Sequence, residues 1–245
     1  MKRRTLLGLA AALGSGAGLV HAAQGRQLRV VTTHLPPLVI ENDDKNPGVL
    51  RELVDELCKR TLTSLKLEFV PWKRALFLAT SMPATAIFPL TRLAEREAKF
   101  RWLAPLYEEH YMFLAARNGR FDVQHPEEMK ARHIALLRGA AQAAILQDLG
   151  YRNIVEANSI EEIHRYLLKG MADAAFGERN IIQSSLQSRS AQTDFQVSAP
   201  VRTTTAWLAG SLDFDDATVQ LFQRAKAAMD ADGTSRRLLA KYNLL

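Results

Sequence analysis

The chain has 245 residues, 47% of them hydrophobic, a formal net charge of +6 and one cysteine. Three positive charges sit on Lys2, Arg3 and Arg4, leaving an excess of +3 scattered among acids with no basic tract interleaved with aromatics, which sets nucleic acid aside as a partner. The lone thiol, Cys58, rules out a disulfide within one chain, and the length allows one large domain or two small ones.

Lys2, Arg3 and Arg4 form a basic start, followed by an apolar, Gly/Ala-rich run from Thr5 to Val20 that is short for a membrane span. Val20-His21-Ala22 fits the small-x-small rule, so residues 1–22 are expected to be a signal peptide cut after Ala22. The Arg3-Arg4 pair leaves both general and twin-arginine export open. The lone cysteine, Cys58, is far from the cut and none stands directly after it, so the expected product is a periplasmic protein that is not a lipoprotein.

Leu28–Thr33 reads as a strand, stopped by Pro36-Pro37. Apolar residues at i, i+3, i+4, i+7 and i+8 predict a helix over about 49–61, with Cys58 among its core positions. The alternation Leu65-Lys-Leu-Glu-Phe-Val70 predicts a second strand, hence a β-α-β unit with a parallel pair. A helix over 72–80, a short buried strand at 86–88, a helix capped by Thr91 running to about Phe100, and a strand over 111–116 follow. A second cycle reads as a short helix at 127–131, a strand at 133–137, a helix at 140–149, and a strand at 154–155. Next come a helix to Leu168 with Ser159 and Glu162 as a capping box, a strand at 173–176 and a helix from about Arg179 to Gln187. A strand over 203–209 and helices over 216–229 and 234–242 close the chain. The repeated βαβ series with elements left over predicts one lobe built from both chain ends and a second inserted between them.

Six segments resemble the bacterial extracellular solute-binding proteins of family 3, the polar amino acid class. They are Leu28-Arg-Val with Pro36-Pro37-Leu38; Phe69-Val-Pro-Trp-Lys-Arg74; Pro89-Leu-Thr-Arg-Leu-Ala-Glu-Arg-Glu97 with Phe100-Arg-Trp102; Ile134-Ala-Leu-Leu-Arg-Gly139; Gly170-Met-Ala-Asp-Ala-Ala-Phe-Gly-Glu178; and Gly233 with Leu239-Ala-Lys-Tyr242. The resemblance implies an α/β, type II periplasmic-binding-protein fold: two lobes, each a mostly parallel sheet flanked by helices, joined by two hinge crossings near 114–118 and 201–205. Lobe 1 is expected over 23–115 and 205–245, and lobe 2 over 116–204.

The same resemblance aligns Arg96 with an arginine that clamps a ligand α-carboxylate, a task suited to paired donors that stay charged. Read alone, Arg96 could equally belong to a solvated helix face. Thr91, five residues earlier, is a second carboxylate contact or simply a cap. Arg92 is a further cationic candidate or a brace. Glu178 aligns with an acid that takes the ligand amino group, although aspartate is usual there; its plain reading is an acid at a helix N-terminus. Trp72 either packs on the ligand or fills a core. The turn at Gly139 and Ala141 offers backbone N–H groups without the usual hydroxyl side chains. Asp173 is expected to be structural.

The implied activity is capture of a small polar solute, expected to be a zwitterionic amino acid, and its delivery to an ABC permease or a membrane sensor. A monomer is expected, with no cofactor and no metal. Gly-x-Ser-x-Gly and His-Glu-x-x-His motifs are absent, and His34, His110, His125, His133 and His164 are dispersed, so no enzyme activity is expected. The alternative is a catalytic relative on the same fold, such as a cyclic-acid dehydratase, with Glu178 as general acid and Arg96 holding the substrate.

Overall fold

The computed structural model describes residues 26–244, so the expected signal peptide lies outside the described residues. Each βαβ unit forms where hydrophobic spacing predicts it. β1 (Arg26–Thr32) pairs in parallel with β2 (Thr63–Phe69) and β3 (Thr85–Thr91). Between β1 and β2 runs α1 (Val49–Arg60), which buries Val49, Leu50, Leu53, Val54, Leu57 and Cys58 along one face. Gly48 opens it at φ +91°, where a Cβ would lie 2.5 Å from the Leu38 carbonyl oxygen, so no larger residue fits this entry. α2 (Trp72–Ser81) follows β2. All seven residues of β3 are buried, as expected of a strand covered on both faces.

β4 (Arg101–Ala116) is the longest strand at 16 residues, and only its last third was legible from hydrophobic pattern. Beyond it come β5 (Ile134–Leu137), α3 (Gln142–Asp148), β6 (Ile154–Ala157), α4 (Ile160–Leu168), β7 (Ala174–Glu178) and α5 (Arg179–Ser188). The chain ends with β8 (Phe195–Val197), β9 (Arg202–Gly210), α6 (Asp216–Ala231) and α7 (Thr234–Lys241).

The strands run in the order β2-β1-β3-β9-β4-β7-β5-β6, with β8 also on β4. β1, β2 and β3 are mutually parallel, as are β5, β6 and β7. The antiparallel β4 and β9 join the two groups. Four hydrophobic cores flank this sheet. In the first half, α1, α6 and α7 cover one face and α2 the other. In the second half, α3 covers one face and α4 and α5 the other.

The crossing between halves can be read from the cores. On β4, Tyr107 belongs to the first half and Tyr111 to the second. Val201, the residue before β9, packs in the second half, and Ala206 on β9 in the first. Between them lie Glu108, Glu109 and His110, paired in register with Thr205, Thr204 and Thr203. The first crossing therefore precedes the 114–118 expected from the resemblance, because Leu114–Ala116 already ladder to β8. The second falls at 202–205, within the expected span.

Candidate functional site

The polar crossing and the facing walls of the two halves enclose a cavity of about 80 Å³. On that measure a water needs roughly 10–15 Å³, so the space suits a small solute. Leu35, Leu38 and Trp72 form the wall from the first half, and Leu137, Ile160 and Phe176 contribute from the second. A wider, more polar cavity of about 570 Å³ adjoins it, sharing Leu35, Trp72 and Ile160 and reaching Lys73, Arg138 and Arg189.

Thr91 is not a helix cap. It ends β3, opposite Ala206 of β9, and a 3₁₀ turn over Ala94–Lys99 replaces the expected helix. Its side chain points into the cavity, where its hydroxyl lies 3.3 Å from Glu109 Oε1 and 3.2 Å from the Tyr111 hydroxyl. Arg96, carried on that 3₁₀ turn, is 7% exposed. It donates from one guanidinium nitrogen to the Thr91 carbonyl oxygen at 3.2 Å, and among the described residues forms no ion pair within 4 Å. It stands beside the cavity rather than on its lining. Burial pulls its pKa down, opposed by the fields of Glu95, Tyr111 and Glu109; a guanidinium remains charged at neutral pH all the same.

Arg92 is a brace. Its guanidinium grips Glu97 at 2.6 and 3.0 Å and lies 5.1 Å and 4.8 Å from the ring centroids of Trp102 and Trp207, away from the cavity. Trp72 lines the cavity, and its indole N–H donates to the Gly139 carbonyl at 3.2 Å, linking the halves across the cleft. Gly139 thus presents a carbonyl to Trp72 and does not line the cavity, whereas Ala141 does.

Glu178 lines the cavity at 2% exposure, yet its carboxylate is engaged. Oε2 accepts the backbone N–H groups of Asn180 and Ile181 at 2.8 and 3.0 Å, capping α5, and Oε1 accepts the Tyr107 hydroxyl at 2.9 Å. Burial raises its pKa, and those N–H and hydroxyl donors lower it. Its plain reading as an acid at a helix start is realised, but inside the cavity wall.

The acid that the sequence reading missed is Glu109. It is 5% exposed and lines the cavity. Oε1 lies within reach of the Thr91 and Tyr111 hydroxyls, the latter at 3.1 Å, and Oε2 accepts from Thr204 at 3.0 Å across the β4/β9 pair. Burial pushes its carboxyl up to about 7, with Glu178 adding to the rise and the hydroxyls of Thr91 and Thr204 opposing it. Tyr111, stacked on Phe176 at 5.6 Å, is raised well above its ordinary range by burial and by Glu109. The signal available in the sequence was an acid two residues before an apolar run, in phase with Tyr111 and Phe113 on one strand face.

No protein-family profile and no curated protein matches the sequence. Solved structures do. A histidine kinase sensor domain described as similar to periplasmic binding proteins superposes with a TM-score of 0.78 at 16% identity, covering 88% of this chain and 95% of that one. An arginine transport system periplasmic binding protein from Legionella pneumophila gives 0.75 at 15% identity, over 89% and 99%. The GluR0 ligand-binding core from Nostoc punctiforme, in complex with L-glutamate, gives 0.74 at 16%, over 89% and 100%. The chain has the two-lobe fold of the periplasmic binding proteins. Those three neighbours are a sensor domain, a transport-system binding protein and a ligand-binding core, so the fold is shared across roles.

Proposed function

We propose that this chain is an exported solute-binding protein that captures a small amino acid between its lobes and presents the closed form to a membrane partner. The lobes meet at the polar crossing strands, Glu108–His110 and Arg202–Thr205, which act as the hinge, and residues 1–22 direct export to the periplasm. The observation that carries the reading is Arg96: a nearly buried guanidinium with, among the described residues, a single backbone carbonyl as hydrogen-bond partner, beside a cavity between two halves. Burying an arginine with no carboxylate in contact is costly, and a ligand carboxylate at Thr91 and Arg96 would offset that cost. The ligands held by fold neighbours, arginine and glutamate among them, support the amino acid class. Among the described residues no helix is long and apolar enough to cross a membrane.

The partner is an ABC permease. A membrane sensor is the second reading, supported by the kinase sensor domain among the fold neighbours. In either case the ligand acts by binding the closed form better than the open one, without chemistry.

The test is a thermal-shift screen of the mature chain against the twenty amino acids, with Arg96→Ala alongside. Ligand at 100-fold over Kd adds about 2.7 kcal/mol, or roughly 5–10 °C at this size. The expected result is a shift in the wild type that Arg96→Ala removes while its unliganded melting stays cooperative. No shift with any amino acid, or one that survives Arg96→Ala, would overturn the reading.

A further inference from the structure

Glu109 carries an inference that deepens the proposed reading and rests on it. The side chain sits at the crossing of the two halves, inside the cavity. Facing it are Thr91 from β3, Thr204 from β9, Tyr111 from its own strand, Glu178 from β7 and Arg96 from the 3₁₀ turn. Two buried carboxylates against one guanidinium leave an excess of negative charge, which is expensive away from water unless a proton or a cation neutralises it. Glu178 is poorly placed to take that cation, because the backbone of α5 and the Tyr107 hydroxyl hold its oxygens. The partners of Glu109 are hydroxyls, which rotate and can accept as well as donate. They can share an ammonium group with the carboxylate they now surround.

The rest of the enclosure fixes what else the ligand carries. Leu35, Leu38, Leu114, Ile163 and Ile182 line it. Gln142 and His164 are the remaining polar side chains on the wall, and His164 already meets the Ser185 hydroxyl at 3.3 Å. A second charged or strongly polar group on the ligand would lose water there with little to replace it.

We infer that Glu109 receives the ligand's ammonium group and that the body beyond the ammonium and carboxylate is apolar, so that the site takes an amino acid with an aliphatic or aromatic side chain. The ammonium replaces the proton that the buried carboxyl otherwise shares, so binding near neutral pH releases protons.

The experiment uses the mature chain with L-leucine, 4-methylpentanoate (leucine without its amino group), L-arginine and L-glutamate, read by isothermal titration in phosphate and in Tris. L-Leucine is expected to bind most tightly of the three amino acids, with a buffer-dependent heat that reports proton release. Glu109→Gln is expected to weaken L-leucine at least about tenfold, as for loss of a charged hydrogen bond, to leave 4-methylpentanoate within about threefold, and to abolish the proton release. A residue that merely braced β4 against β9 would not move the proton count, which decides the matter if 4-methylpentanoate binds too weakly to titrate. Equal weakening of both ligands, unchanged proton release in Glu109→Gln, or L-arginine or L-glutamate binding more tightly than L-leucine overturns the inference. If Arg96→Ala still removes binding of the favoured amino acid in those cases, the solute-binding reading survives; silence across all twenty amino acids ends both.

Discussion

Glu109 and Arg96 lie in one buried neighbourhood but were unequally visible in the sequence. Arg96 stands in a nine-residue segment that resembles a known pattern, which singled it out, but its burial on a 3₁₀ turn did not show in the sequence, whose plain reading was a solvated helix face. Glu109 belongs to no motif, and its environment is made by Thr91 and Thr204, which reach it from strands distant in the chain. Its own consequence is a link between stability and pH in the unliganded protein. The carboxyl titrates at about 7 when folded, against 4.5 ordinarily. A raised acid binds more protons in the native than in the unfolded state between those values, so stability falls as pH rises through that window. Lowering the pH from about 7.5 to about 5.5 is therefore expected to stabilise the wild type relative to Glu109→Gln, by up to about 1.4 kcal/mol per pH unit. Glu178 is raised in the same direction and persists in both proteins, so the difference reports Glu109 together with its coupling to Glu178. Urea unfolding of both at several pH values measures it, and parallel stability curves would exclude a protonated Glu109.

Most elements were legible because their apolar spacing is local. α1, α2 and α6 begin where the periodicity begins, and each ends within two residues of its expected end. Two failures share a cause. The residues 101–110 of β4 carry Pro105, Glu108 and Glu109, which hide a strand whose stability comes from β9 alongside it. The expected helix after Thr91 had good composition, but the hydroxyl is held by Glu109 and Tyr111 instead of capping a turn. Ser159 does cap α4, its hydroxyl accepting the Glu162 N–H at 3.2 Å, while the Glu162 carboxylate reaches back to the Asn158 N–H, one residue from the expected box partner. Glu178 plays the corresponding part for α5. Glu178→Ala strips two backbone N–H groups and the Tyr107 hydroxyl of their acceptor at once. It is expected to cost about 2 kcal/mol, the upper end for a cap, and urea denaturation reads it. A loss below about 0.5 kcal/mol would mean that water replaces the carboxylate freely.

At the scale of the whole molecule, the two halves are joined by polar strands, bonded beside the crossing through Thr91–Tyr111 and Tyr107–Glu178, and linked between the facing cleft walls by a further hydrogen bond. The lobes were foreseeable because βαβ units bury their own cores; the state of the cleft was not, since nothing local specifies how two finished cores meet. Trp72 supplies the link, its N–H on the Gly139 carbonyl, and Ala140 packs against the Trp72 core beside it. These contacts hold the cleft walls together. One neutral hydrogen bond contributes about 0.5–1.5 kcal/mol net, enough to change an open-to-closed ratio by roughly two- to twelvefold, and the hinge offers little resistance if its residues pack in neither core. Trp72→Phe keeps most of the ring and deletes the donor. On the proposed reading it shifts the unliganded protein toward the open form, and small-angle scattering is expected to show a larger radius of gyration than in the wild type. A saturating amino acid should then bring both proteins to the same compact profile, because the ligand's differential affinity outweighs the lost bond. Identical unliganded profiles for the two proteins would mean that the crossing strands, and not the contact across the cleft, set the resting angle between the lobes.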